Sequence, residues 1–186
     1  MSFKNHMLPV SVVLTTYNDA KTIQIFLKNI CEQSVSPEEI LIVDGGSSDD
    51  TVNLVKKFNK KSKSIIITVN DGQRRNISEG LNEGIKKAKN EWILVLGTGN
   101  RYDNNFIKKL WEAKKVSQCQ VFYSNVLGQE STKFSKIFNL YFLNGNKKFD
   151  WGATNHGVLL NKDIFRKFGL FWEGFHYAGE DTEFFK

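Results

Sequence analysis

A chain of 186 residues, 40% hydrophobic and 25% charged, can bury one substantial core, which excludes wholesale disorder and makes a single domain the expectation. The formal charge of +6 at pH 7 suits an anionic partner such as a nucleotide, a diphosphate carrier or an acidic membrane face. Two cysteines, Cys31 and Cys119, are too few for a disulfide scaffold, and nothing resembles a four-ligand zinc site, so reduced thiols are expected.

Much of the charge lies in KKFNKKSK, residues 56–63. Such a run reads first as a solvated helix end, with a nucleic-acid groove as the weaker alternative, so no nucleic-acid partner is expected. There is neither a cleavable signal segment nor an apolar run long enough to span a bilayer. The expected compartment is the cytoplasm, with peripheral contact at the inner face of the membrane left open.

Residues 1–9 read as a loose lead that ends at Pro9. Strand one follows at 10–15, where Val10, Val12, Val13 and Leu14 are too continuously apolar for a half-exposed edge. A helix then runs to about residue 33 with Ile23, Leu27, Ile30 and Cys31 as its buried stripe and Asn18 or Asp19 as its cap. Pro37 breaks the chain before strand two at 40–43. The turn-rich string GGSSDDT, with Asp49 or Asp50 as cap, opens helix two at 51–58.

Strand three is marked by Ile65, Ile67 and Val69, the basic loop GQRRN follows, and Ile77, Leu81, Ile85 and Ala88 mark helix three. Gly80 and Gly84 lie inside that helix, each costing about 1 kcal/mol of helix propensity relative to alanine. Either a tight helix-to-sheet contact or room for a ligand would explain them. Strand four, 92–96, ends in GTGNRYDNN, where Asp103 can cap a helix striped by Phe106, Ile107, Leu110 and Trp111.

A short strand is expected at 121–123, and residues 128–148 carry an aromatic-rich amphipathic pattern among lysines. That segment is either a helix packed on the sheet or an interfacial surface facing lipid. A last strand at 156–160 leads to a helix capped by Asn161 and ended by Gly169 in αL conformation. The final pattern begins near Glu180 and stops almost at once, so the terminus of this single 1–186 domain reads as unfinished.

Alternating strands and helices predict an α/β fold with a mostly parallel central sheet flanked by helices. Ligands of such sheets sit beyond the carboxyl ends of the strands, which here are followed by residues 16–19, 44–51 and 97–105. Asp44, before Gly45 and Gly46, can accept hydrogen bonds from a base or a sugar, or serve the turn. Arg74 and Arg75 can reach a diphosphate or form a plain surface pair. Glu180 and Asp181 open a helix; a carboxylate there stays ionised, fit either to cap or to act as a general base. No GxGxxG follows strand one, no GxxxxGK[ST] loop exists, and His6, His156 and His176 are too isolated to suggest metal ligands.

The ordered set VSVVLTTYN, LIVDGGSSDDT, LNEGIKKAKNEWILVLGTGN, NHGVLLNKDIFRKFG and GEDTEFF resembles the inverting nucleotide-sugar glycosyltransferases of family 2, over about residues 10–186. The resemblance implies a single-domain, Rossmann-like GT-A fold. It also implies transfer of a sugar from a UDP- or GDP-type donor to a saccharide or lipid-linked acceptor, in cell-surface polysaccharide or lipid-linked oligosaccharide synthesis. Thr16, Tyr17, Asn18 and Asp44 would then hold base and ribose, Arg75 and Asn82 would lie near the donor cleft, and Asp181 would be the catalytic base.

One departure stands out. Where the family carries an Asp-x-Asp motif for Mg²⁺ or Mn²⁺, this chain has Gly97, Thr98, Gly99 and Asn100, so no protein metal ligand set is expected. Three accounts follow. The diphosphate brings the cation, with Asn100 as a weak neutral ligand; the arginines replace it; or transfer has been lost and the chain binds nucleotide sugar without turnover.

Overall fold

The computed structural model describes residues 7–60, 65–69, 72–123 and 157–174. In chain order these form β1 (Met7–Thr16), α1 (Ile23–Cys31), β2 (Ser36–Asp44), α2 (Thr51–Asn59), β3 (Ile65–Val69) and α3 (Ile77–Lys87). There follow β4 (Trp92–Val95), α4 (Phe106–Lys115), β5 (Val121–Tyr123), β6 (Val158–Asn161) and α5 (Lys162–Phe168). Glu180, Asp181, the 128–148 segment, His6, His156 and His176 lie outside the described residues.

One sheet runs in the order β3-β2-β1-β4-β6-β5. β1 pairs in parallel with β2 and β4, and β3 in parallel with β2, whereas β6 is antiparallel to both β4 and β5. The strand alternation splits the core in two. Val12, Leu14, Ile40, Ile42 and Leu94 join α1, α2 and α4 through Phe26, Leu27, Val55 and Ile107. Val13, Leu41, Ile93 and Val95 join α3 and α5 through Leu81, Ile85 and Phe165. Burial on both faces is why these strands read as unbroken apolar runs; each fully buried leucine or isoleucine contributes about 1.5–3 kcal/mol.

The two helix glycines are explained by packing. A β-carbon on Gly80 would overlap Thr15 Cγ2, and one on Gly84 would overlap Val13 Cγ1, so α3 lies directly on β1 and no ligand space is involved.

Several local expectations are corrected. β1 begins at Met7 and includes Pro9, because its ladder with β2 shifts register between Leu8 and Ser11 and its pairing with β4 starts at Val10. Pro37 likewise lies within the first residues of β2 rather than before it. α1 is not capped by a side chain of Asn18 or Asp19: the Asp19 carbonyl receives the Thr22 and Ile23 amides, each at 2.9 Å. Asp103 accepts the Asn105 amide and lies two residues before Asn105, which takes the cap position of α4 without a side-chain cap bond. Gly169 has φ 88° and ψ 179°, positive in φ but extended in ψ, not αL. Asn161 does cap α5, accepting the Asp163 amide at 2.9 Å.

The carboxyl ends of β1, β2, β4 and β5 and the amino end of β6 meet at one edge, with Thr16 opposite Asp44 and Val95 opposite Val158. The other edge is closed by polar pairing: Glu39, 2% exposed, accepts from the Ser11 hydroxyl and the Lys89 amide. Among the described residues no helix is long and apolar enough to cross a membrane.

Candidate functional site

The loops after β1 and β2 are bound together by side chains. Asn18, at φ 53°, takes the left-handed conformation that asparagine tolerates, and its Oδ1 accepts the Ser48 amide at 2.9 Å. The Asn18 amide donates to Ser47 Oγ at 2.8 Å, the Asp19 amide to Thr51 Oγ1 at 2.8 Å and the Ala20 amide to Asp49 Oδ2 at 3.1 Å. Asp49 also accepts the Thr51 amide at 3.0 Å, the first amide of α2, while Asp50 takes the cap position without a side-chain cap bond, so neither is the cap the sequence suggests. The Thr51 hydroxyl beside it keeps the Asp49 carboxyl below the usual carboxylate range.

Asp44 is 2% exposed, and its Oδ2 accepts the amides of Gly46 at 3.1 Å and Ser47 at 2.9 Å. Its carboxylate therefore shapes the turn that follows it, while the Gly45 amide donates to the Thr16 carbonyl at 2.8 Å. Gly45 has a further reason to lack a side chain: a β-carbon there would lie 3.0 Å from the Arg75 carbonyl oxygen. Gly46 turns at φ 92° against Arg74. The GQRRN loop is thus seated directly on the end of β2, and exposed Tyr17 stands beside Gly45.

α3 begins with a capping box that the pattern N-x-x-E could have disclosed: Asn76 accepts the Glu79 amide at 2.9 Å and Glu79 the Asn76 amide at 2.7 Å. The Asn76 side chain also donates to the Glu173 carbonyl at 2.9 Å, which brings residue 173 to the same edge. Asn82, expected near the donor cleft, is 1% exposed, and its carboxamide is engaged with Phe171 backbone and the Glu173 carboxylate. It fastens the 171–173 segment to α3.

The loop after β4 is held from two sides. Tyr102 is packed against Phe26 and Phe106, and its hydroxyl accepts the Gly97 amide at 3.1 Å and donates to the Gly97 carbonyl at 3.3 Å. Burial pushes its phenol up to about 12. Asn29 on α1 bonds both the amide and the carbonyl of Tyr102, at 2.8 and 3.0 Å. From the other side, Thr98 Oγ1 donates to Asp19 Oδ2 at 2.8 Å, and the same oxygen accepts from Thr16 Oγ1 at 2.9 Å. Asn100 bonds back to the Gly97 carbonyl through its amide at 3.3 Å.

The residues present do not fit a protein-built divalent site. Residues 97–100 offer no carboxylate, the nearby Asp19 oxygen is shared by two hydroxyls, and no group of three potential metal-binding side chains exists among the described residues. Of the expected donor residues, Thr16, Tyr17, Asn18, Asp44 and Arg75 come together at the junction of the two loops. Asn100 lies on the adjoining loop. Asp19, Thr98 and Asn29 were not foreseen as parts of the site, since their partners are distant in sequence.

Comparison with known proteins gives the family and the fold. A dolichyl N-acetyl-alpha-D-glucosaminyl phosphate 3-beta-D-2,3-diacetamido-2,3-dideoxy-beta-D-glucuronosyltransferase of Methanococcus voltae is 32% identical over 101 residues, covering 53% of this chain and 32% of the relative. A poly-beta-1,6-N-acetyl-D-glucosamine synthase of Staphylococcus epidermidis is 32% identical over 98 residues, covering 52% of this chain and 23% of the relative. The chain thus spans a third or less of the length of these two relatives.

A mannosyltransferase of Pyrobaculum calidifontis, solved in complex with GDP-Man and Mn²⁺, superposes with a TM-score of 0.75 at 19% identity, over 93% of this chain and 49% of that one. This likeness establishes the GT-A fold. The model of the glycosyl transferase family 2 matches residues 11–174, nearly all of the described sheet and its helices, and the chain belongs to that family.

Proposed function

We propose that this chain is the donor-binding core of an inverting glycosyltransferase. It moves a sugar from a UDP- or GDP-type donor to a saccharide or lipid-linked acceptor, in cell-surface polysaccharide or lipid-linked oligosaccharide synthesis. The observation that carries this reading is the junction of the β1 and β2 loops, where exposed Tyr17, Asn18 and the Asp44 turn lie beside the Arg75 backbone. Base and ribose belong against Thr16, Tyr17, Asn18 and Asp44, and the guanidinium groups of Arg74 and Arg75 answer the diphosphate charge.

Asp181 is the proposed general base. It takes the proton of the acceptor hydroxyl as that oxygen attacks the anomeric carbon from the face opposite the diphosphate. The bond from that carbon to the diphosphate oxygen breaks, and the nucleoside diphosphate leaves with the electron pair. Glu173, held to Asn76 at this edge, supports the placement, because the segment carrying Asp181 sets out from there. A divalent cation, of the kind named with the Pyrobaculum enzyme, would arrive on the donor diphosphate, Asn100 being a neutral ligand within this loop. A lipid-linked acceptor goes with a site at the cytoplasmic, inner face of a membrane.

Gly97, Gly99 and Asn100 favour one second reading, a nucleotide-sugar-binding or assembly protein without turnover. Calorimetry with UDP and GDP, with Mn²⁺ and with chelator, paired with a transfer assay over UDP and GDP sugars, separates the two. Binding with turnover supports transfer, and binding without turnover across a broad acceptor panel supports the second reading. Absence of nucleotide binding overturns both.

A further inference from the structure

Residues 97–100, the first part of the loop after β4, carry no carboxylate, yet one is bonded to them. Asp19 reaches across from the loop after β1, and its Oδ2 accepts from Thr98 Oγ1 at 2.8 Å and from Thr16 Oγ1 at 2.9 Å. Both bonds are charge-assisted, which makes them roughly twice as strong as neutral ones. Asp19 is also fixed through its backbone, the amide donating to Thr51 Oγ1 at 2.8 Å and the carbonyl accepting the first amides of α1. One residue therefore ties together the loops after β1, β2 and β4, the three that surround the proposed donor position. The residues flanking Thr98 are glycines, and a β-carbon on Gly99 would meet nothing within 4 Å, so this stretch has little packing to hold it.

We propose that Asp19 and Thr98 form a positioning clasp that holds residues 97–100 of the loop after β4 in register with the nucleotide-binding loops, preorganising the stretch that faces the donor diphosphate. The inference rests on the donor-binding reading above. It gives Asp19 a task no helix cap explains, since its carboxylate makes no bond to a first-turn amide of α1. Preorganisation strengthens binding by removing the ordering cost from the bound state.

The test uses the full chain with Thr98→Val, Thr98→Ser, Asp19→Asn and the Asp19→Asn/Thr98→Val pair, with UDP and GDP as calorimetric probes. Thr98→Val is expected to weaken nucleotide binding about tenfold and to speed amide exchange at residues 97–100 in the free protein. Thr98→Ser, which keeps the hydroxyl, restores both, and the double variant is no weaker than the worse single one, as expected of a shared bond. Nucleotide affinity and loop exchange unchanged in Thr98→Val, with at most a lower melting temperature, would overturn the clasp and leave the donor-binding reading intact. Wild-type protein that binds neither nucleotide overturns the reading and the clasp together.

Discussion

The two ends of the proposed donor site are built differently. Where β1 and β2 end, nearly every exposed turn amide from residue 18 to 20 and from 45 to 48 meets a side-chain or backbone oxygen, and buried Asp44 anchors the turn. Where β4 ends, residues 97–100 are two glycines, a threonine and an asparagine, and they lean on Tyr102, Asn29 and Asp19. The first is a rigid surface with fixed charge, suited to a base and a sugar. The second has no charged side chain over residues 97–100. On the proposed reading, recognition of base and sugar falls to the first end, and neutralising the diphosphate falls to groups outside residues 97–100.

The largest expected effect tests whether chemistry accompanies recognition. Asp181→Asn should lower transfer by about 10²–10⁴-fold while calorimetry finds donor affinity nearly unchanged. Affinity falling along with rate would make Asp181 a donor-binding or structural residue. Next, Asp44→Ala strikes the first end: two half-buried amides lose a charged acceptor, so denaturant unfolding should show a loss of about 2–3 kcal/mol, and UDP or GDP binding should weaken.

Restoring charge to the other end sharpens the contrast. Gly99 has open space where a β-carbon would be and no positive φ, so Gly99→Asp should fold with unchanged melting temperature. Calorimetry should then find Mn²⁺-dependent tightening of nucleoside diphosphate stronger than in the wild type. Unaltered metal response would show that the loop lies away from the diphosphate.

The smallest effect concerns the brace beneath that loop. Tyr102→Phe removes the hydroxyl that bonds Gly97, a cost of about 1 kcal/mol by denaturant unfolding. The phenol lies near 10.0 when unfolded and about 12 when folded, so the proton is held more tightly in the fold. Stability should be level below pH 10 and fall as the pH rises from 10 to about 12, a step the phenylalanine variant should lack.

How much of this could be read beforehand depended on the range of the interaction. Asn161 as a cap and the Gly80 and Gly84 puzzle were visible because each signal lies within a few residues. Pro9 misled, since whether a strand tolerates proline depends on its neighbours' register, which here shifts beside it. Asn82 was expected near the donor cleft from the family resemblance alone; its bonds to Phe171 and Glu173 were not foreseen, because those partners lie far along the chain. Asp19 reads locally as a helix cap for the same reason: Thr98 is its partner only after β4 has been laid beside β1.

The sequence by itself determined the element order and the double-faced apolar strands, because periodicity is a local property written in the chain, and its ordered motifs carried the resemblance to the family. Only the tertiary structure decided that Asp44 Oδ2 shapes the turn that follows it, that Gly80 and Gly84 admit β1 rather than a ligand, and that Asp19 bonds Thr98 across the sheet. Hydrogen bonds act over about 3 Å whatever the sequence separation, so which donor meets which acceptor is fixed by packing the sheet.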